Sequence, residues 1–380
     1  MVDLGDIVRG EAARYLQTRF VPPHQRKALR DITRCRTEAM GSVTAKCDKC
    51  DAPYRLFCSC RNRSCPLCQS EARQKWVEAR FEEILPCEYL HVVFNAPKEI
   101  EVLAQYCPEE LYDAVMRAAG QAVIEVGWTE LHAQLGCHAH LHTWGQSMAY
   151  HLHAHCVVPC GGFSEDGSRW VSFAPNDLPR KGLASRFRAL LCGSIEVARR
   201  MGKLDGLPAT VAVEQILSRI KNREWRVYVN PPFGGPEKLF EYLSRYVYRV
   251  AITNDRIESY ENGKVTFRWR DYRHGNVEKP CTLEAPEFVR RFVMHVPPRG
   301  FVRIRSYGFL GNRNRKRNLE RARHLIGDAV APRTCEPYKP LRLCPACAGR
   351  DERTLHFARP DVVPQFDLPL RPPPTDPLAA

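Results

Sequence analysis

The chain has no run of about 18 consecutive apolar residues, which excludes a membrane-spanning helix on length alone. Its opening stretch, MVDLGDIVRGEAARYL, is charged throughout and lacks the apolar core of a secretory signal, so a cytoplasmic protein is expected. No internal repeat is present, which argues against a stacked-repeat architecture. Acidic residues are scarce beside basic ones: 43 Asp and Glu face 57 Lys and Arg, a net charge of +14. Such a surplus favours a polyanionic partner, nucleic acid before an anionic membrane surface. Aliphatic residues are scarce between 44 and 70, a segment that cannot build its own core and needs a staple.

What that segment does have is cysteine. The chain carries 17, which in a cytoplasmic protein argues against a disulfide framework and for metal. Cys47-x-x-Cys50 and Cys65-x-x-Cys68 sit fourteen residues apart in KCDKCDAPYRLFCSCRNRSCPLCQ. Each knuckle places two thiolates on one side of a tight turn, and two knuckles complete a tetrahedral Zn²⁺ site. Cys58 and Cys60 complicate the count, since either could replace a ligand or join Cys35 in a more elaborate site. Arg61 and Arg63, inside the finger, are candidates for phosphate contacts. A second knuckle, Cys344-x-x-Cys347, has Cys335 upstream but no clear fourth ligand, with His324 and His356 as candidates.

The rest of the chain alternates helix and strand signals. Residues 1–40 and SEARQKWVEARFEEIL read as helical, and EYLHVVFNAP as a strand. Residues 109–126 return to helix, then CHAHLHTWG and HLHAHCVVP form an antiparallel hairpin. LASRFRALLCGSIEVARRMG is helical, EWRVYVN a strand, and PEKLFEYLSRYVYRVAI a helix entered through Pro236. RIESYEN and KVTFRWRDY flank Asn262-Gly263, a strong hairpin signal. APEFVRRFVMHV and GNRNRKRNLERARHL are basic helices with the strand FVRIRSYGFL between them, and a Pro-rich tail closes the chain. These signals divide it into a helical and zinc-binding domain (1–84), a catalytic domain (85–275), a basic C-terminal DNA-binding region (276–359) and a disordered tail (360–380).

Six histidines fall between 138 and 155. His153 and His155 alternate at the head of an apolar run, so on a strand both rings project from one face, roughly 6.6 Å apart at the backbone. That begins a divalent-metal site. A simple hairpin through 145–149 puts His140 and His142 on the opposite face, and a one-residue slip reverses this, so the third ligand stays unassigned. Tyr242 and Tyr246, four apart in a helical segment, share a face with Arg245 and Arg249 nearby. Aromatic pairs at that spacing are ordinarily core; beside a metal pair they become nucleophiles for breaking and rejoining DNA through a phosphotyrosine.

The stretches CRTEAMG, SCRNRSCPLCQ, LHTWGQSMAYHLHAHCVVPCGGFS, VYVNPPFGGPEKLFEYLSRYVYRVAITNDRI, VTFRWRDYRHG and GFVRIRSYGFLGNRNR run in order from about 30 to 350. In them the chain resembles the rolling-circle transposases of bacterial insertion sequences, within the wider HUH endonucleases. The resemblance implies an α+β fold, an HUH-type catalytic domain with a central antiparallel sheet flanked by helices, preceded by a small helical and zinc-finger domain. It implies His153 and His155 as the pair holding Mg²⁺ or Mn²⁺, Tyr242 and Tyr246 as the nucleophiles of the two-tyrosine class, and Cys47, Cys50, Cys65 and Cys68 as zinc ligands. It further implies nicking and rejoining of single-stranded DNA at transposon ends and in target DNA through 5′-phosphotyrosine, without a nucleotide cofactor, by a protein of the bacterial nucleoid. Arg245 and the basic run Arg313, Arg315, Lys316, Arg317, Arg321 and Arg323 would supply backbone contacts. Three departures are visible: Ser64 where the family usually has His, Leu152 where it often has Pro, and Asn230 where Lys is common. A plasmid replication initiator or relaxase with the same chemistry, a zinc-dependent hydrolase built on the His pair, and a non-catalytic zinc-finger DNA-binding protein remain open on the residues alone.

Overall fold

The computed structural model describes residues 2–46, 50–69, 80, 82–230, 251–271, 274–327, 342–343 and 350–351. Of the helix expected over 70–85, residues 70–79 and 81 lie outside them, and 82–85 are turn and irregular chain rather than helix; the Tyr242 helix, the Cys344 knuckle and the tail also lie outside.

The strands in chain order are β1 (Ser42–Lys46), β2 (Pro53–Phe57), β3 (Tyr89–Asn95), β4 (Gly136–Trp144), β5 (Tyr150–Pro159), β6 (Gly161–Phe163), β7 (Trp170–Ser172), β8 (Val227–Asn230), β9 (Ile257–Glu261), β10 (Lys264–Asp271), β11 (Val277–Glu284) and β12 (Ile304–Gly308). Five of them make the central sheet, in the order β12-β4-β5-β3-β8, with every pairing antiparallel. The expected α+β architecture, a central antiparallel sheet flanked by helices, is what the chain adopts.

Side-chain alternation divides this sheet into two unlike faces. Leu90, Val92 and Phe94 of β3, Cys137, Ala139 and Leu141 of β4, Leu152, Ala154 and Cys156 of β5, and Val227 and Val229 of β8 point into one large core. The helix Pro108–Glu130 covers them. It starts with Pro108 at its first turn and carries Glu109 and Glu110 there, both favourable at the positive end of a helix dipole. The helices Lys98–Tyr106, Arg180–Arg200 and Val213–Lys221 complete the layer. Phe94 is fully buried, with its ring 5.0 Å from Phe187 of the Arg180 helix. Burying a side chain of that size stabilises by roughly 1.5–3 kcal/mol.

A second core lies at the tip of the β4–β5 hairpin. It joins the N-terminal helices Leu4–Thr18 and Pro23–Arg34 to β9, β10 and the helix Ala285–Met294, and takes in Trp144 and Met148. Asn262 and Gly263 both have positive φ, the backbone of a type I′ turn, so the Asn-Gly signal marks the β9–β10 hairpin as expected. A third, smaller cluster seats the basic helix Arg315–Ile326 against Leu85, Tyr89, Val157 and Phe163. The boundaries read from the sequence divide the chain at 84 and 275, whereas the second core mixes residues from 4–35 with residues from 251–296.

β11 and the helices Lys98–Tyr106 and Val213–Lys221 carry no clear signal in the sequence. β11 contains Pro280, tolerated because among the described residues the strand pairs only with β10 and forms an edge.

Candidate metal centres on the open sheet face and in the cysteine knuckle

The face of the sheet away from the helices is lined with histidine. His91 of β3, His138, His140 and His142 of β4, and His153 and His155 of β5 are all buried. His142, His153 and His155 each bring a ring nitrogen to within 4.8 Å of the other two.

A β-bulge makes that meeting possible. Trp144 lies opposite Tyr150, which by plain antiparallel counting would set His142 against Leu152, a residue of the helix-covered core. The register shifts between His142 and Trp144, so His142 lies opposite His153 and His140 opposite His155. The simple hairpin register is therefore not the one found; the one-residue slip is, and it brings a third histidine, His142, to His153 and His155. Thr143, the β4 residue across from the bulge at His151–Leu152, gives its hydroxyl to His295 Nδ1 at 3.1 Å, and His295 Nε2 donates to Met148 O at 3.1 Å. Arg256 donates to Gln146 O, and Arg291 to Ser147 O at 3.2 Å. The second core thus grips the hairpin tip through three consecutive carbonyls.

Neighbouring groups orient the ring nitrogens. His153 Nδ1 donates to His151 O at 2.9 Å, which leaves Nε2 as its lone-pair donor. His155 Nδ1 lies 2.7 Å from His91 Nε2. Glu101, itself buried, accepts from His151 Nδ1 at 2.8 Å and from the Leu152 amide at 3.1 Å. Burial pushes His153 down to about 3 and His155 well below the ordinary histidine range, so both are neutral at physiological pH. Three converging neutral imidazoles on a buried strand pair fit a divalent cation. All-nitrogen donors suit Mn²⁺ better than Mg²⁺, which prefers oxygen. The cluster opens into a cleft of about 560 Å³ lined also by Trp144, Tyr228, Asn230 and Arg256.

The cysteines regroup as well. Sγ atoms of Cys35, Cys60, Cys65 and Cys68 converge: Cys35–Cys68 is 3.5 Å, Cys60–Cys68 3.6 Å and Cys35–Cys65 3.7 Å. Tetrahedral thiolates at a metal–sulfur distance of about 2.3 Å stand roughly 3.8 Å apart, so these spacings fit one shared ion. The Cys60 amide points at Cys35 Sγ and the Asn62 amide at Cys60 Sγ, the knuckle pattern that steadies thiolates. Hydrogen bonding from Cys60 draws Cys35 down to about 7. Of the four expected ligands, Cys65 and Cys68 are in this group, Cys50 is exposed, and Cys47 lies outside the described residues. Cys35 of CRTEAMG and Cys60 take the other two places. The clue was in the sequence, as surplus cysteines around a two-knuckle pattern, but spacing alone could not rank them.

The basic residues divide by use. Arg63 donates to the carbonyls of Pro298 and Phe301, so it ties the knuckle to the segment before β12 rather than facing solvent, whereas Arg61 is exposed. Arg315 pairs with Glu83 at 3.1 Å, Arg321 donates to Gly167 O and Arg323 to Glu82 O, both at 2.6 Å. Arg313, Lys316 and Arg317 remain exposed. Tyr242, Tyr246 and Arg245 lie outside the described residues.

Comparison with known proteins agrees with the resemblance in the motifs. Residues 7–96 match a family model described as "Transposase zinc-binding domain", which spans all four converging cysteines. Residues 136–318 match one described as "Putative transposase", which spans β4, β5 and β12. The protein y4qJ of Sinorhizobium fredii, under the same description, is 41% identical over 370 residues, 91% of this chain and 92% of that one. The transposase for insertion sequence element IS801 of Pseudomonas savastanoi pv. phaseolicola is 26% identical over 284 residues, 73% of this chain and 68% of that one. Among solved structures, the conjugative relaxase TrwC in complex with oriT DNA matches at 15% identity over 42% of this chain and 71% of that one, with a TM-score of 0.24. A likeness of that size decides neither fold nor function.

Proposed function

The chain belongs to the insertion-sequence transposases of the IS91 type, and on that premise we propose that it cuts and rejoins single-stranded DNA at the ends of its element through a 5′-phosphotyrosine, using Tyr242 and Tyr246. The observation that carries this reading is the meeting of His142, His153 and His155 on the open face of the sheet, beside a cleft. Those three residues would hold Mn²⁺ or Mg²⁺. A bound divalent ion supplies positive charge that polarises the scissile phosphate and offsets charge on the leaving oxygen.

The chain's own residues do the rest. A tyrosine hydroxyl attacks phosphorus in line, the bond to the 3′ oxygen breaks, and a proton passes from the phenol to the departing 3′ hydroxyl by way of solvent. One phosphodiester is exchanged for another, so no ATP is consumed. A second tyrosine lets a second strand be opened before the first is resealed, as rolling-circle transposition requires. His151 and Glu101 hold the metal-bearing strand in place, and Asn95 and Tyr228 line the approach to it. Arg313, Lys316 and Arg317 present charge to the DNA backbone, which makes binding fall steeply with salt. The knuckle at Cys35, Cys60, Cys65 and Cys68 would carry zinc as a structural ion.

The test mixes full-length protein, Mn²⁺ and oligonucleotides spanning the flanks of its own gene, followed by a denaturing gel. A metal-dependent shifted band is expected from the wild type and not from the Tyr242→Phe, Tyr246→Phe double variant. DNA binding with no adduct on any flank would overturn the phosphotyrosine reading. An adduct that survives in the double variant would move the nucleophile elsewhere.

A further inference from the structure

His91 sits on β3 diagonally across from His155 on β5: Val93 is opposite His155, and His91 is opposite Val157, two residues along on the same face. Its ring lies nearly in the plane of the His155 ring, 11° away with centroids 5.0 Å apart, and Nε2 of His91 meets Nδ1 of His155 at 2.7 Å. That is an in-plane imidazole–imidazole hydrogen bond, and it can be made in only two ways. Either His155 keeps its proton on Nδ1 and donates to His91, or His91 donates from Nε2 and His155 keeps its proton on Nε2. Only the first leaves a lone pair on His155 Nε2, the nitrogen that can turn towards His142 and His153.

We propose that His91 is a positioning residue of the metal centre: it accepts the Nδ1 proton of His155 and thereby fixes both the tautomer and the ring angle that place the Nε2 lone pair in the cluster. The proposal rests on the reading of His142, His153 and His155 as a cation site. Histidine ligands generally lean on a carboxylate, a carbonyl or water through the second ring nitrogen, and His153 follows that pattern through the His151 carbonyl. For His155 the partner is a neutral ring. A neutral acceptor orients the ligand without adding negative charge behind it, and so leaves a dicationic centre less neutralised and more able to draw on a phosphate. It also demands that His91 carry its own proton on Nδ1, so metal loading and the tautomer of a residue outside the cluster are coupled.

Mn²⁺ binding to the full-length protein, followed by the electron paramagnetic resonance of the free ion, tests this with His91→Leu, His91→Gln and His142→Ala. His142→Ala should abolish the site and checks the underlying reading. His91→Leu should weaken Mn²⁺ binding about 10–100-fold, the usual cost of losing such a partner. His91→Gln, whose side-chain carbonyl can accept the same proton, should recover most of the loss. Leucine and wild type binding alike would overturn the proposal, and so would glutamine and leucine failing alike, since that marks a packing role. Wild type that binds no better than His142→Ala would sink the cation site itself, and the proposal with it. Should His91→Leu not fold, ¹⁵N chemical shifts of the His155 ring in the metal-free wild type decide: a protonated Nδ1 with a bare Nε2 supports the proposal, and the reverse overturns it.

Discussion

His142 faces His153 although Trp144, two residues on, faces Tyr150 rather than His151. One extra residue in β5, between Tyr150 and His153, sets His153 rather than Leu152 opposite His142, and the three side chains of the histidine cluster meet by that slip. The bulge is secured at Thr143, whose hydroxyl is spent on His295.

Thr143→Val keeps the shape and removes that hydroxyl, leaving His295 Nδ1 without it. A loss of about 1–2 kcal/mol in urea unfolding is expected, together with a several-fold weaker Mn²⁺ affinity. Unchanged affinity in a destabilised protein would show that the bulge holds its register without the Thr143–His295 bond.

Zinc content separates the converging cysteines from the exposed one. Cys35→Ser and Cys60→Ser should each lose one equivalent of zinc and melt earlier, while Cys50→Ser keeps that equivalent. Elemental analysis of the purified variants reads this directly. A zinc loss in Cys50→Ser equal to that in Cys60→Ser would reinstate the ligand set read from spacing.

Acid should undo the fold by way of the histidine face. Burial holds His91 and His295 near 4 and His140 and His153 near 3, against an ordinary value of 6.5. Between 6.5 and about 4 the unfolded chain takes up protons that the folded one refuses, so stability is present above 6.5 and drains as pH falls. Each group contributes a slope of up to about 1.4 kcal/mol per pH unit. Calorimetry of the metal-free protein should show the melting temperature dropping steadily from pH 6.5 towards 4. A flat profile over that window would contradict the burial of these rings.

Arg61 and Arg63 should behave differently when each is changed to Met. Arg63→Met leaves two carbonyls in the 298–301 segment without their donor and should cost roughly 2–3 kcal/mol. Arg61→Met should leave the melting temperature unchanged and weaken binding to single-stranded DNA, with a shallower salt dependence. A stable Arg63→Met would mean that solvent replaces the guanidinium at no cost.

Periodicity carried the sheet. The alternation in β3, β5 and β8 and the helical spacing in the Pro108 and Arg180 segments each follow from which side chains must leave water, and a local pattern is enough to record that. The Asn262-Gly263 turn was equally legible, because two successive positive-φ residues have few other uses. What escaped was register and choice among equals. A bulge inserts one residue without any mark in composition, so which residues of β5 oppose His142 could not be read from the strands themselves. Seven cysteines within 35–68 offer several tetrahedral sets, and the fold selects Cys35 because the helix Pro23–Arg34 ends against the knuckle. His91 looked like one more residue of an apolar strand, and its meaning depends on a partner 64 positions away.

The second core has a consequence for how such proteins can be recombined. Leu4, Ile7 and Leu29 are buried together with Phe267, Phe288 and Phe292, and Arg63 is fastened to the 298–301 segment. The cysteine knuckle is therefore no detachable cassette. A chimera that imports only residues 1–69 from a relative inherits half of a hydrophobic interior and must match the other half by chance. One that exchanges 1–69 and 251–303 together with the 144–148 hairpin tip carries its interior with it, so inheritance in this fold runs by spatial unit and not by contiguous stretch of gene.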